Sequence, residues 1–155
     1  MIREIITYPN KLLRTKSKDV GEFNSELHTL LDDMYETMIV ASGVGLAAIQ
    51  IAVPLNVLII NPINEEDIQD KNDLIEAINP KITHKDGELV YQEGCLSLPG
   101  FYEDITRAKH IVVEYFNRFG EKQTMECEDF LAVAWQHEME HLSGHVFIEN
   151  LSFTK

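Results

Sequence analysis

The run QHEMEH at residues 136 to 141 constrains this chain more than any other stretch, because it sets His137 and His141 four apart with Glu138 directly after the first. On a helix that spacing stacks two imidazoles on one face, where they can hold a single metal ion with the glutamate beside it. Two ligands do not complete a site. Catalytic zinc-type centres take three protein ligands and keep one position for water. The fold is therefore expected to bring a remote side chain against this helix.

A downstream donor is a poor source. In the pattern HExxHxxGxxH the third histidine follows a glycine; Gly144 stands at the glycine position, but Phe147 occupies the place of the histidine. On a continuing helix His145 lies roughly 12 Å further along the axis than His137, at a rise of 1.5 Å per residue. Glu149 is too close to Lys155 for a second helix to return a carboxylate. The ligand is expected upstream, where EGCLSLPG at 93 to 100 brackets Cys95 between Gly94 and Pro99. Cys127 is the weaker candidate, because it alternates with Met125 on a regular strand pattern. A thiolate with two imidazoles suits Zn²⁺ or Fe²⁺ and is poor for Mg²⁺ or Ca²⁺.

The remaining sequence is that of one α+β domain spanning 1–155, the length of a single continuous core. Leu27, Leu30, Leu31, Met34 and Met38 recur at helical spacing, so an amphipathic helix is expected from Asn24 or Ser25, either of which can cap it, to Val40. ASGVGLAAIQ at 41 to 50 places glycines around Val44, permitting a turn or a close approach. VLII at 57 to 60 reads as a buried strand, residues 63 to 73 as a solvated acidic loop, and LIEAINP, GELVY and KHIVVEYFNRFGEKQTMECE as further strands with a turn at NRFG. DFLAVAWQHEMEHL is apolar around most of its circumference, which predicts a buried helix closed by Gly144. Antiparallel sheets packed around this C-terminal helix are the expected architecture.

The net charge of −13, from 26 acids and 13 bases, argues against direct nucleic-acid binding, which needs clustered Lys and Arg. No apolar run approaches the roughly 20 residues of a membrane span. MIREIITYPNKLLRTKSKDV lacks a secretory pattern, so a cytoplasmic protein is expected. Two cysteines do not make a disulfide framework.

GVGLAAIQ at 43 to 50, EGCLS at 93 to 97 and QHEMEH at 136 to 141 together resemble the three signature motifs of the peptide deformylases, in the family's order and over nearly the whole chain. The resemblance implies a metal-dependent hydrolase that removes the N-formyl group from the formyl-methionine of newly made polypeptides and releases formate. It assigns Cys95, His137 and His141 to the metal and Glu138 to proton transfer. The Gln50 side-chain amide and the Leu96 backbone N–H become the oxyanion donors. Val44, Tyr91, Phe130 and Ala134, with the His137 ring, form the methionine pocket, while the backbone at Gly45 pairs with an extended peptide. The implied metal is Fe²⁺, with Zn²⁺, Ni²⁺ and Co²⁺ also compatible.

Two positions depart from the family. Glu140 stands where aspartate is usual and is expected to reach Arg107, and Tyr102 stands where some bacterial members carry arginine at the pocket mouth. The chain stops soon after Leu151, and by resemblance such short forms, without a C-terminal helix, are similar to phage-encoded members and some bacterial ones. Weak or absent ribosome association is expected on that ground, and host cytoplasm would be the compartment of a phage-encoded member.

Taken singly, each motif has an ordinary explanation. HExxH arises by chance on surface helices, a lone cysteine is a small buried hydrophobe, and GVGLAA is a tight loop. Three such coincidences in family order are far less expected. His28, His84, His110 and His145 read as ordinary surface or packing residues, and Trp135, Phe130 and Leu131 as core. Two other readings are an HExxH metallopeptidase cutting internal bonds and a non-catalytic structural metal module. The second needs a fourth ligand, from Cys127 or His145.

Overall fold

The Asn24 side chain accepts the Leu27 N–H at 3.1 Å and starts helix α1, Ser25–Val40. The helix ends where Gly43 N–H reaches the Met38 carbonyl at 2.9 Å and Ser42 N–H reaches Ile39 at 3.0 Å. Ser42 turns left-handed there at φ 59°. These are the paired bonds of a Schellman ending. The computed structural model describes residues 1–145, so the ending after Leu151, and with it Phe147 and Glu149, lies outside the described residues.

Strands β1 (Gly45–Ala47), β2 (Val57–Ile60), β3 (Ile75–Asp86), β6 (His110–Phe116) and β7 (Lys122–Glu128) form one five-stranded sheet in the order β1-β2-β3-β6-β7. Every pairing in it is antiparallel. Strands β4 (Leu89–Cys95) and β5 (Leu98–Arg107) pair separately as a two-stranded antiparallel sheet. Helix α2, Asp129–Leu142, follows β7 directly. The class is α+β, with antiparallel sheets around a buried helix that carries HExxH.

Period-two alternation explains how one sheet serves two helices. Leu46, Val57, Ile59 and Ile78 pack with Leu27, Leu31, Met34 and Met38 of α1. Their neighbours Ala47, Leu58, Ile60 and Ala77 pack instead with Ala132, Trp135 and Leu142 of α2. VLII is thus apolar at every position because both faces of β2 are covered. Each fully buried side chain of this size stabilises the packing by about 1.5–3 kcal/mol. Trp135 is wholly buried against Tyr115, ring centroids 5.2 Å apart.

Two details fix how α2 lies. Gln136 clasps the backbone of Ala108, accepting its N–H at 3.0 Å and donating to its carbonyl at 2.8 Å. Beyond the helix Gly144 adopts φ +82°, and a Cβ there would stand 2.6 Å from the Arg14 carbonyl oxygen, so both conformation and space require glycine. The acidic loop at 63 to 73 is solvated over most of its length, yet Gln69 donates from it to the carbonyls of Gly43 at 2.9 Å and Asn61 at 2.8 Å, pinning the glycine segment. Among the described residues no helix is long and apolar enough to cross a membrane.

Candidate active site

The closing turn of α1 leads into GVGLAAIQ, whose Gly45–Ala47 form β1 at the edge of the five-stranded sheet. Its two glycines serve close approach rather than a left-handed turn, since the positive φ falls on Ser42. A Cβ on Gly43 would meet Leu96 Cδ1 at 2.7 Å, and one on Gly45 would meet Glu138 Oε2 at 2.7 Å. Bare backbone at Gly45 is what lets the Glu138 carboxylate lie beside β1.

Gln50 follows in a short 3₁₀ turn at Ala48–Ile51. Its Oε1 accepts the Ala47 N–H at 2.9 Å, which orients Nε2 toward Ser97 Oγ at 3.1 Å and Cys95 Sγ at 3.5 Å. The N-terminal segment straps both partners in place: Ile6 N–H donates to the Gln50 carbonyl and Tyr8 N–H to the Ser97 carbonyl, each at 2.7 Å. Leu96 lies in the turn from β4 to β5, directly after Cys95.

Cys95 ends β4 with its sulfur 3.2 Å from His141 Nε2. The His137 and His141 rings, one turn apart on α2, lie 5.1 Å apart between centroids. One donor atom each from Cys95, His137 and His141 falls within 4.8 Å of the others. Neither Cys127 nor His145 belongs to this group, so among the described residues the cluster has three donors, and the fourth ligand of a closed structural site is not supplied by them.

Glu93 is the residue that sequence reasoning missed. It is the one fully buried side chain of β4. Its Oε1 accepts from His137 Nδ1 at 2.8 Å, which turns Nε2 toward the cluster. Arg107 grips the same carboxylate from Nε at 2.7 Å and Nη2 at 2.8 Å, and its Nη1 meets Glu140. A chain Glu140–Arg107–Glu93–His137 therefore ties α2 to both strands of the hairpin. Strand alternation was the available signal, since Glu93 is two residues from Cys95 and shares its face.

Electrostatics in the cluster follow from burial. Burial works against the Glu93 charge, but the hydrogen bonds from Arg107 and then His137 outweigh it and hold its carboxyl below the ordinary range. Burial pushes Glu138 up to about 7, with the positive charge at His137 opposing. Burial pulls His137 down, yet its contacts with Cys95 and Glu93 prevail and raise it to about 10. Burial, then the charges at His137 and Arg107, hold His141 well below its usual value. Glu138 Oε1 and His141 Nδ1 are buried with no hydrogen-bond partner among the described residues. A soft sulfur and two imidazoles are a donor set that fits a divalent transition ion.

A cavity of about 530 Å³ opens on this cluster, and Val44, Gly45, Gln50, Tyr91, Cys95, Leu96, Phe130, Ala134, His137 and Glu138 all line it. His141 sits behind that wall, 1% exposed. The Tyr91 and Phe130 rings lean together at 5.6 Å on one side. Tyr102 also lines the cavity and lies over Gly94, where a Cβ would stand 2.6 Å from its ring.

An α+β hydrolase site built on an HExxH helix is the class that this fold and cluster define. Residues 2–155 match the family described as Polypeptide deformylase. The chain is 56% identical to the peptide deformylase of Campylobacter jejuni over 156 aligned positions, covering 100% of this chain and 89% of that protein. Its fold is similar to the crystal structure of a peptide deformylase from Legionella pneumophila, with TM-score 0.94, 40% identity, and coverage of 99% and 88% of the two chains. It is also similar to the peptide deformylase of Ehrlichia chaffeensis in complex with actinonin, with TM-score 0.91, 35% identity, and coverage of 99% and 90%. The chain belongs to the peptide deformylase family. It is a hydrolase of protein biosynthesis that removes the N-formyl group from newly made polypeptides, in a family that depends on metal.

Proposed function

We propose that Cys95, His137 and His141 hold one divalent metal ion, Fe²⁺ in the native enzyme, and that Glu138, Gln50 and the Leu96 backbone N–H act on an N-formyl-methionyl nascent peptide beside it. The observation that carries this reading is the convergence of three donor atoms from two remote segments within 4.8 Å, at the wall of a cavity that Glu138 also lines. When bound, the cation acts as a Lewis acid and brings the pKa of water from 15.7 down to about 7.

The protein's own groups do the rest. Glu138, buried beside the cluster and lining the same cavity, takes up the water proton and later delivers it to the departing amine. Gln50 Nε2 is aimed at the cluster by the Ala47 N–H on its oxygen, so the hydrogen now directed at Cys95 Sγ is the one placed to turn to the developing oxyanion. The Leu96 N–H is the second donor. β1 is the terminal strand of its sheet, so its outer edge at Gly45 is available to an extended peptide by strand addition. Val44, Tyr91, Phe130 and Ala134, with the His137 ring, then receive the methionine side chain.

The reaction takes place in a single catalytic domain in the cytoplasm, where formylated chains are made. Formate release from formyl-methionyl peptide, with unformylated peptide in parallel, tests the reading. Formate from the first and no cleavage of the second is expected. Cleavage of internal bonds in the second would support a metallopeptidase instead.

A further inference from the structure

His84, Asp86 and His110 come together on the outer face of the five-stranded sheet. In β6 the side chains of Ile111, Val113 and Tyr115 point into the core beneath α2, so the alternating His110 points the other way. Asp86 is its direct partner across the strands, and the register shift between Ile82 and His84 brings the His84 ring alongside. Asp86 Oδ2 lies 2.6 Å from His84 Nε2 and 3.1 Å from His110 Nδ1. The two rings stand 5.7 Å apart between centroids.

One donor atom from each of the three residues falls within 4.8 Å of the others, the same criterion that the Cys95 cluster meets. A tetrahedral ion with bonds near 2.05 Å needs donors roughly 3.3 Å apart, so the exposed His84 and Asp86 side chains need move only slightly toward the half-buried His110 to accept one. Glu126 on β7 supplies the orienting contact. Its Oε1 lies 2.7 Å from His110 Nε2, which commits that nitrogen to the carboxylate and turns Nδ1 toward Asp86 and His84. A carboxylate on the far nitrogen is how metal-binding histidines are commonly held.

We propose that His84, Asp86 and His110, oriented by Glu126, form a second metal site that takes a first-row divalent transition ion such as Zn²⁺, Ni²⁺ or Cu²⁺. Two imidazoles and one carboxylate suit these ions and not Mg²⁺ or Ca²⁺. The ion bridges β3 and β6, and water completes its coordination.

The test starts from the holoenzyme with its first site loaded and titrates Zn²⁺ by calorimetry and equilibrium dialysis, with total metal counted per chain. Wild type is expected to take up one further equivalent, with a rise in Tm as Zn²⁺ is added, and H84Q/H110Q is expected to take up none while keeping deformylation within about twofold. D86N, which leaves both imidazoles, reports the same loss should the double variant fold poorly. Saturation of wild type at one metal per chain, or a second equivalent that survives in H84Q/H110Q and D86N, would overturn the proposal.

Discussion

The Cys95 cluster, between α2 and the β4–β5 hairpin, and the His84 cluster, on the five-stranded sheet, use one device. In each, a carboxylate from a neighbouring strand holds one nitrogen of a histidine and presents the other: Glu93 on His137 at 2.8 Å, Glu126 on His110 at 2.7 Å. They differ in what supports the carboxylate. Glu93 is buried and clamped by two nitrogens of Arg107, whereas the Glu126 side chain is 70% exposed and no second group grips it among the described contacts. They differ also in surroundings, since the first borders a walled cavity and the buried Glu138 carboxylate, whose Oε1 has no hydrogen-bond partner among the described residues. On the proposed reading, ligand chemistry alone gives binding at the second cluster, while burial, a fixed orientation and a proton carrier turn binding into catalysis at the first.

The largest way to break that contrast is to remove the sulfur. C95A should lower deformylation by about 10³-fold or more, since a Lewis acid contributes several kcal/mol to the transition state, while Zn²⁺ uptake at His84 stays intact. E138Q should keep its metal and lose about 10²- to 10⁴-fold in kcat, the usual share of proton transfer. A variant that lost metal and activity together would make Glu138 a ligand instead. E93Q removes the charge behind His137 and should weaken metal binding by about 10- to 100-fold, read by competition with a chelator. An E93Q enzyme with unchanged affinity would show that Arg107 and Glu140 orient the helix without it.

Much of this was legible in the sequence, for reasons that differ by element. α1 showed itself because Leu27, Leu30, Leu31, Met34 and Met38 mark one face, and β2 because branched residues covered on both sides leave no polar position. β5 did not: LPGFYEDITR contains proline, glycine and acids and is mostly exposed, so it carries little apolar alternation, and its pairing with β4 gives it strand form. The motif residues of the site were legible as a resemblance, and the structure places all of them but His141 on one cavity, with His141 behind its wall. Glu93 was not, because its role depends on Arg107 and His137 arriving from elsewhere in the chain. His84 and His110 read as ordinary residues for the same reason, since only strand pairing makes them neighbours. The acidic loop was read correctly as solvated, but the anchoring bonds of Gln69 needed the fold to appear.

Anomalous diffraction at the iron edge, on crystals of enzyme prepared anaerobically with Fe²⁺, tests the central assignment most directly. The expected result is one strong peak within about 2.0–2.3 Å of Cys95 Sγ and of one nitrogen each of His137 and His141, with its remaining position facing the cavity. A peak bound by the two histidines but not by the sulfur, or one whose last position is filled by another side chain, would contradict it.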